Sequence, residues 1–118
     1  MTEKIKTGAL GEQAAARHLE NLGYRLLERN FKAKSGEIDI IAQKGMFVVF
    51  VEVKTRKSGV FGRPSESVTS KKQQKIKDTA LEYMQQNDVD GLQPRFDVAE
   101  VFVSGGETYH VEIIENAF

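Results

Sequence analysis

The segment Glu37-Ile38-Asp39-Ile40-Ile41-Ala42-Gln43-Lys44-Gly45-Met46-Phe47-Val48-Val49-Phe50-Val51-Glu52-Val53-Lys54-Thr55 decides the fold. Glu37 to Ala42 has the β-branched content of a strand. Gln43-Lys44-Gly45 is a tight hairpin turn, and Met46 to Thr55 is the returning strand. Phe47 to Val51 is apolar at every position, so both faces of this strand must be covered and it belongs in the middle of a sheet.

Upstream, Tyr24 to Lys32 reads as a further strand, joined to the hairpin by the turn Lys34-Ser35-Gly36. Before it, Thr7 can cap a helix running to about Leu22, with Leu10, Ala14, Leu19 and Leu22 near helical spacing and Gly23 as a stop. Downstream, Lys57 to Pro64 reads as a loop. The spacing of Ile76, Ala80, Tyr83 and Met84 predicts a second helix from about Thr69 to Gln86. After a loop at Asn87 to Pro94, Arg95 to Val103 alternates as a strand with a small irregularity near Ala99. Ser104-Gly105-Gly106 turns the chain into a last strand, Thr108 to Ile114. The expected order is α-β-β-β-α-β-β, an α/β arrangement.

The 118 residues suit one domain, and 40% hydrophobic with 29% charged residues is an ordinary globular balance. No apolar run approaches the roughly 20 residues needed to span a bilayer. The charged stretch Met1 to Lys6 has no apolar segment behind it, so no secretory signal is expected and a cytoplasmic location follows. The absence of cysteine excludes disulfide scaffolds, thiol catalysis and thiolate-bound zinc. With only His18 and His110, a histidine-rich metal site or a Ser-His-Asp triad is a poor fit. Chemistry must rest on carboxylates, lysines and arginines. The formal net charge is zero, but it is unevenly spread: residues 1–53 carry +1, residues 54–77 carry +7, and residues 78–118 carry −8. The middle segment can form a positive patch able to neutralise phosphates, or a solvated helix face.

Three ionisable groups interrupt the apolar hairpin. Side chains alternate along a strand, so Glu52 and Lys54 point the same way, as do Glu37 and Asp39. Pairing across the turn at residues 43–45 can bring Asp39 beside Glu52. Two carboxylates, with the backbone carbonyl between Glu52 and Lys54, make a hard, oxygen-rich site suited to magnesium or manganese. Such an ion can polarise a phosphodiester, and Lys54 can orient a water or stabilise charge on the phosphate. The plain structural alternative is a salt bridge between Lys54 and Asp39 or Glu52.

The stretch "GEIDIIAQKGMFVVFVEVKTRKS", preceded by "GEQAAARHLENLGYRLLERN", resembles the bacterial YraN-like family of predicted endonucleases, and more distantly is similar to archaeal Holliday-junction resolvases. Both belong to the restriction-endonuclease-like, or PD-(D/E)xK, superfamily. The likeness extends through "FGRPSESVTSKKQQKIKDTALEYM" and "RFDVAEV", nearly the whole chain. It implies a restriction-endonuclease-like αβββαβ core, with a mixed sheet flanked by helices. It also implies that Asp39 and Glu52 are magnesium ligands and that Lys54 is the catalytic lysine. Glu12 falls where resolvases carry another acidic site residue; a solvent-facing helix position is the other reading. Ile38 stands where the superfamily name has proline.

Around this centre, Arg56, Lys57, Arg63, Lys71, Lys72 and Lys75 are candidate phosphate contacts as a group, fixing position without reading sequence. Gln73 is either a polar site residue or a surface glutamine, and Glu37 either supports the metal through water or is an exposed strand end. Val60 and Phe61 either pack on the second helix, wedge between bases or serve a dimer partner. The resulting expectation is a magnesium-dependent endonuclease acting on branched or structured DNA, read by shape. Such substrates suit a homodimer cutting symmetric strands. The alternative is a nucleic-acid-binding or assembly module that keeps the fold without cutting. No membrane partner is expected.

Overall fold

The computed structural model describes residues 3–57 and 68–118. Two helices and five strands follow one another as α1 (Glu3–Asn21), β1 (Arg25–Ala33), β2 (Gly36–Lys44), β3 (Phe47–Lys57), α2 (Ser70–Gln86), β4 (Gln93–Ser104) and β5 (Glu107–Ile114). The strands form one sheet in the order β1-β2-β3-β4-β5. Neighbours are antiparallel except β3 and β4, which run parallel through an unbroken register from Phe47↔Gln93 to Lys57↔Val103. A parallel pair needs a crossover, and α2 lies within it. This is the expected mixed sheet flanked by helices, the restriction-endonuclease-like αβββαβ core, with β5 added at the edge.

β3 is central, and Val48, Val49, Phe50 and Val51 are all fully buried. Val49 and Val51 pack with Ala15, Ala16 and Leu19 of α1, together with Ile40, Ala99 and Val101. Val48 and Phe50 pack on the other face with Ile76, Ala80 and Tyr83 of α2, together with Val98. Tyr83 meets Phe31 and Phe50 edge-on, with ring centroids 5.2 and 5.9 Å apart, and so fixes α2 over β1 to β3. The Ser35 amide, in the β1–β2 turn, donates to Glu82 of α2 at 3.0 Å.

Several sequence expectations shift in detail. α1 already includes Glu3, so Thr7 lies inside the helix rather than at its cap. Its buried stripe is Ala15, Ala16 and Leu19, and Leu22 lies exposed beyond its end. Gly23 does stop the helix, in the left-handed region at φ 90°, with Gly23 and Tyr24 amides closing back on Glu20 and Leu19. The irregularity expected near Ala99 is absent. Phe96 and Val98 face α2 while Ala99, Val101 and Val103 face α1, which is ordinary alternation with both sides apolar. The register shift lies instead in the β4–β5 pairing, between Phe102 and Val103. The expected loop from Lys57 to Pro64, with Val60 and Phe61, falls outside the described residues beyond Lys57.

Alternation does break on β2. Ile40 and Ala42 face α1, yet Ile38, two residues earlier, packs with the α2-side cluster. The break is shared with β1. Asn30 sits opposite Asp39 between the pairs Arg29↔Ile40 and Phe31↔Ile38, and it takes a left-handed φ of 53°. Asparagine tolerates that conformation better than most residues. Both strands therefore flip at the Asn30–Asp39 step.

Candidate active site

The β2–β3 ladder runs from Lys44↔Phe47 to Ile40↔Val51 and stops there. One more step of the same register would oppose Asp39 and Glu52. Instead, the Asp39 carboxylate turns toward β3 and its Oδ2 accepts the Val53 amide at 2.8 Å. The flip at Asp39 thus replaces a backbone ladder bond by a side-chain one and opens the sheet between β2 and β3. The N–H and C=O of a strand residue leave on the same side. The Val53 carbonyl accordingly faces this opening too.

Glu52 and Lys54 share the α2 face of β3, as alternation requires. Glu52 is only 8% exposed. Its Oε1 lies 3.7 Å from Lys54 Nζ and 2.6 Å from Lys72 Nζ. Lys72 comes from the first turn of α2, which Thr69 caps by accepting the Lys72 amide at 3.2 Å. Gln73 is half-buried and donates to the Val68 carbonyl at 2.9 Å, holding the entry to the helix.

Electrostatics here is unbalanced. Burial, then the nearby Glu52 charge, push the Asp39 carboxyl up to about 7; the Glu12 charge adds to this, while the Val53 amide and Lys72 oppose it. Burial, then the neighbouring Lys72 ammonium, hold Lys54 below its ordinary value against the pull of Glu52 and Asp39. Burial also disfavours charge on Lys72, but its contact with Glu52 and the charges of the two carboxylates outweigh that and raise it. Two carboxylates and two ammonium groups are thus held within reach of one another, with Glu52 buried more deeply than the two lysines.

Sequence spacing singled out Asp39, Glu52 and Lys54, and the fold brings all three together. Glu12 is half-buried rather than solvent-facing. It stands three and four residues before Ala15 and Ala16, on the stripe that α1 buries. Gly11 makes the approach of α1 close: a Cβ there would run into the Thr55 side chain of β3. Glu37 is exposed and paired with Lys32. The basic group divides. Lys72 sits on Glu52, Arg56 Nε lies 4.0 Å from Glu100, and Lys71 and Lys75 are exposed on α2. Lys57 pairs with Val103 through its backbone, and Arg63 lies outside the described residues. Lys72 as a partner of Glu52 was missed from sequence. Its signal was available: it precedes Ile76 by four residues, so it occupies the inward stripe of α2.

Among the described residues, no three acidic or imidazole side chains converge as a ready-made metal cage. The donor set suited to a cation is the carboxylate pair Asp39 and Glu52 with the Val53 carbonyl. These are all hard oxygens, and the mutual repulsion of the two acids is what a divalent ion relieves. The residues therefore fit magnesium or manganese, with part of the coordination left to water and substrate oxygens.

No helix among the described residues is long and apolar enough to cross a membrane. Residues 11–101 match the profile described as Uncharacterised protein family UPF0102. A UPF0102 protein of Syntrophus aciditrophicus is 46% identical over 118 residues, covering 100% of this chain and 92% of that protein. One from Caldicellulosiruptor saccharolyticus is 44% identical over 116 residues, 98% of each chain. One from Alkaliphilus oremlandii is 48% identical over 115 residues, 96% of this chain and 97% of the relative.

Proposed function

The chain belongs to the UPF0102 family, the YraN-like family, and on that premise we propose that it is a metal-dependent endonuclease hydrolysing phosphodiester bonds in branched or structured DNA. The observation that carries this reading is the pairing of Asp39 and Glu52 at the opening of the sheet, with Lys54 beside Glu52 at 3.7 Å. A lone structural ion pair needs one acid and one base; here burial, and after it the charge of a second acid, hold the Asp39 carboxyl up at about 7. A magnesium or manganese ion held by Asp39, Glu52 and the Val53 carbonyl would supply the positive charge that polarises a phosphodiester and eases deprotonation of an attacking water. Asp39 is oriented for that work by the Val53 amide. Lys54, held below its ordinary pKa, is a group that can exchange a proton or neutralise charge on the phosphate nearer neutral pH. Lys71 and Lys75 are exposed on α2 and would hold the backbone of a nucleic acid without reading its bases. A homodimer would let two such sites act on symmetric strands of a junction.

The experiment is hydrolysis of labelled flaps, four-way junctions and single strands with magnesium or manganese, comparing wild type with Asp39→Asn and Lys54→Ala. Each substitution is expected to lower the rate by at least about 10²-fold with the fold intact. Equal cleavage by all three proteins sinks the proposal. A second reading, a binding module that does not cut, draws on the two lysines that already neutralise Glu52. It predicts salt-sensitive DNA binding, weakened by Lys71→Glu, with no turnover under either metal.

A further inference from the structure

Lys72 reaches into the acid cluster from a different element, and it does so where a cation would have to bind. Its Nζ lies 2.6 Å from Glu52 Oε1, closer than the 3.7 Å of Lys54 to the same oxygen. The contact is built, not incidental. Thr69 caps α2 three residues earlier by taking the Lys72 amide, Gln73 fastens the same turn to Val68, and Ile76 anchors the stripe one turn on. Glu52 is nearly buried, so its charge must be matched inside the protein. A divalent ion sharing that carboxylate would repel the ammonium group at such range. Lys72 has a long, flexible stem, half-buried at the edge of the site, and beside it Lys71 and Lys75 are exposed. An ammonium displaced from Glu52 therefore stays on the basic side of α2, where a phosphate can take it.

We propose that Lys72 is a positioning residue that competes with the divalent cation for Glu52 and is released toward nucleic acid when the cation binds. This rests on the cation site proposed for Asp39 and Glu52. It makes cation loading and nucleic-acid capture mutually reinforcing, because each removes what opposes the other.

The test is calorimetric titration of the folded protein with manganese alone, so that no cleavage is read. Lys72→Met should bind the ion about tenfold more tightly than wild type, since the competitor is gone. Lys72→Arg keeps the charge and should stay within about twofold. Lys77→Met, a charge-matched change on the same helix, should also stay within about twofold of wild type. Should Lys72→Met fold poorly, Lys72→Gln supplies the same neutral comparison while keeping a donor for Glu52. Unchanged or weaker binding by the neutral variants overturns the proposal, as does equal tightening by Lys77→Met. Manganese uptake that survives Glu52→Gln, or its absence from every variant, overturns this inference and the proposed cation site together. Normal uptake without the Lys72 effect removes only this inference.

Discussion

At Asp97 and at Asp39 the fold places a carboxylate where water is scarce, and it treats the two in contrary ways. Asp97 is fully buried and receives Arg95 through two bonds, at 3.0 and 2.9 Å, with the Asn116 amide at 3.0 Å. Arg95 also donates to Tyr24 at 2.8 Å and lies over the Phe47 ring, 5.0 Å from its centroid. Every strong donor has an acceptor, and the cluster ties α1's exit and the C-terminal segment to β4. Asp39 has one backbone donor, a second acid across the gap and a third on α1, and its neighbouring lysines crowd onto Glu52. The contrast separates an ionic cluster that holds a fold together from one whose charges await a partner.

The largest effect should come from the closed cluster. Asp97→Ala strands a half-buried guanidinium and should cost about 3 kcal/mol in urea unfolding; a loss under about 1 kcal/mol would erase the contrast between the two clusters. Next is the open cluster, where the effect has the other sign. The Asp39 pKa rises from 3.8 to about 7 on folding. Between those values the native chain keeps a proton that the unfolded chain has released. Asp39 therefore makes stability fall as pH rises from about 4 to about 7, with a slope of at most about 1.4 kcal/mol for each step of one in pH, and the loss is complete above that window. Asp39→Asn should flatten this slope and be more stable than wild type at about pH 8. Lower stability of the variant there would mean that Asp39 is as well matched as Asp97.

Two smaller changes probe how the helices deliver their charges. Gly11→Ala forces a methyl against Thr55 and should cost about 1–3 kcal/mol, with Thr55→Ala in the same chain recovering most of it. Failure of that rescue would show that α1 is not pressed onto β3 at this point. Thr69→Ala removes the cap of α2 and should lower stability by about 1 kcal/mol. Thermal melts unchanged by Thr69→Ala would mean that the first turn bearing Lys72 is held by Gln73 alone.

The hairpin and its acids were legible because a five-residue apolar run and a glycine turn leave little choice of register. Element order was legible for the same reason. The parallel pairing of β3 with β4 came only through the family resemblance, since alternation says which face a residue takes and not which strand lies beside it. Asn30 and Asp39 were illegible as a joint kink, because each looks like an ordinary polar strand residue and only their opposition gives the flip. Lys72 and Glu12 were half-legible. Both stand in phase with a buried stripe, but a charged residue at the end of such a stripe reads as its solvated margin until a counter-charge is seen across the sheet. Arg95 and Asp97 gave no signal beyond their two-residue spacing.

The kink shared by β1 and β2 has a mechanical consequence. Ile38 and Ile40 are gripped by opposite layers of the protein, so the residue between them is clamped from above and below and has almost no freedom to wander. The acid is thereby offered on a stiff rail, while the lysine facing Glu52 hangs from a four-carbon tether. Whatever enters this cleft meets one immobile jaw and one that yields, and the adjustment to ligand size falls to the tether.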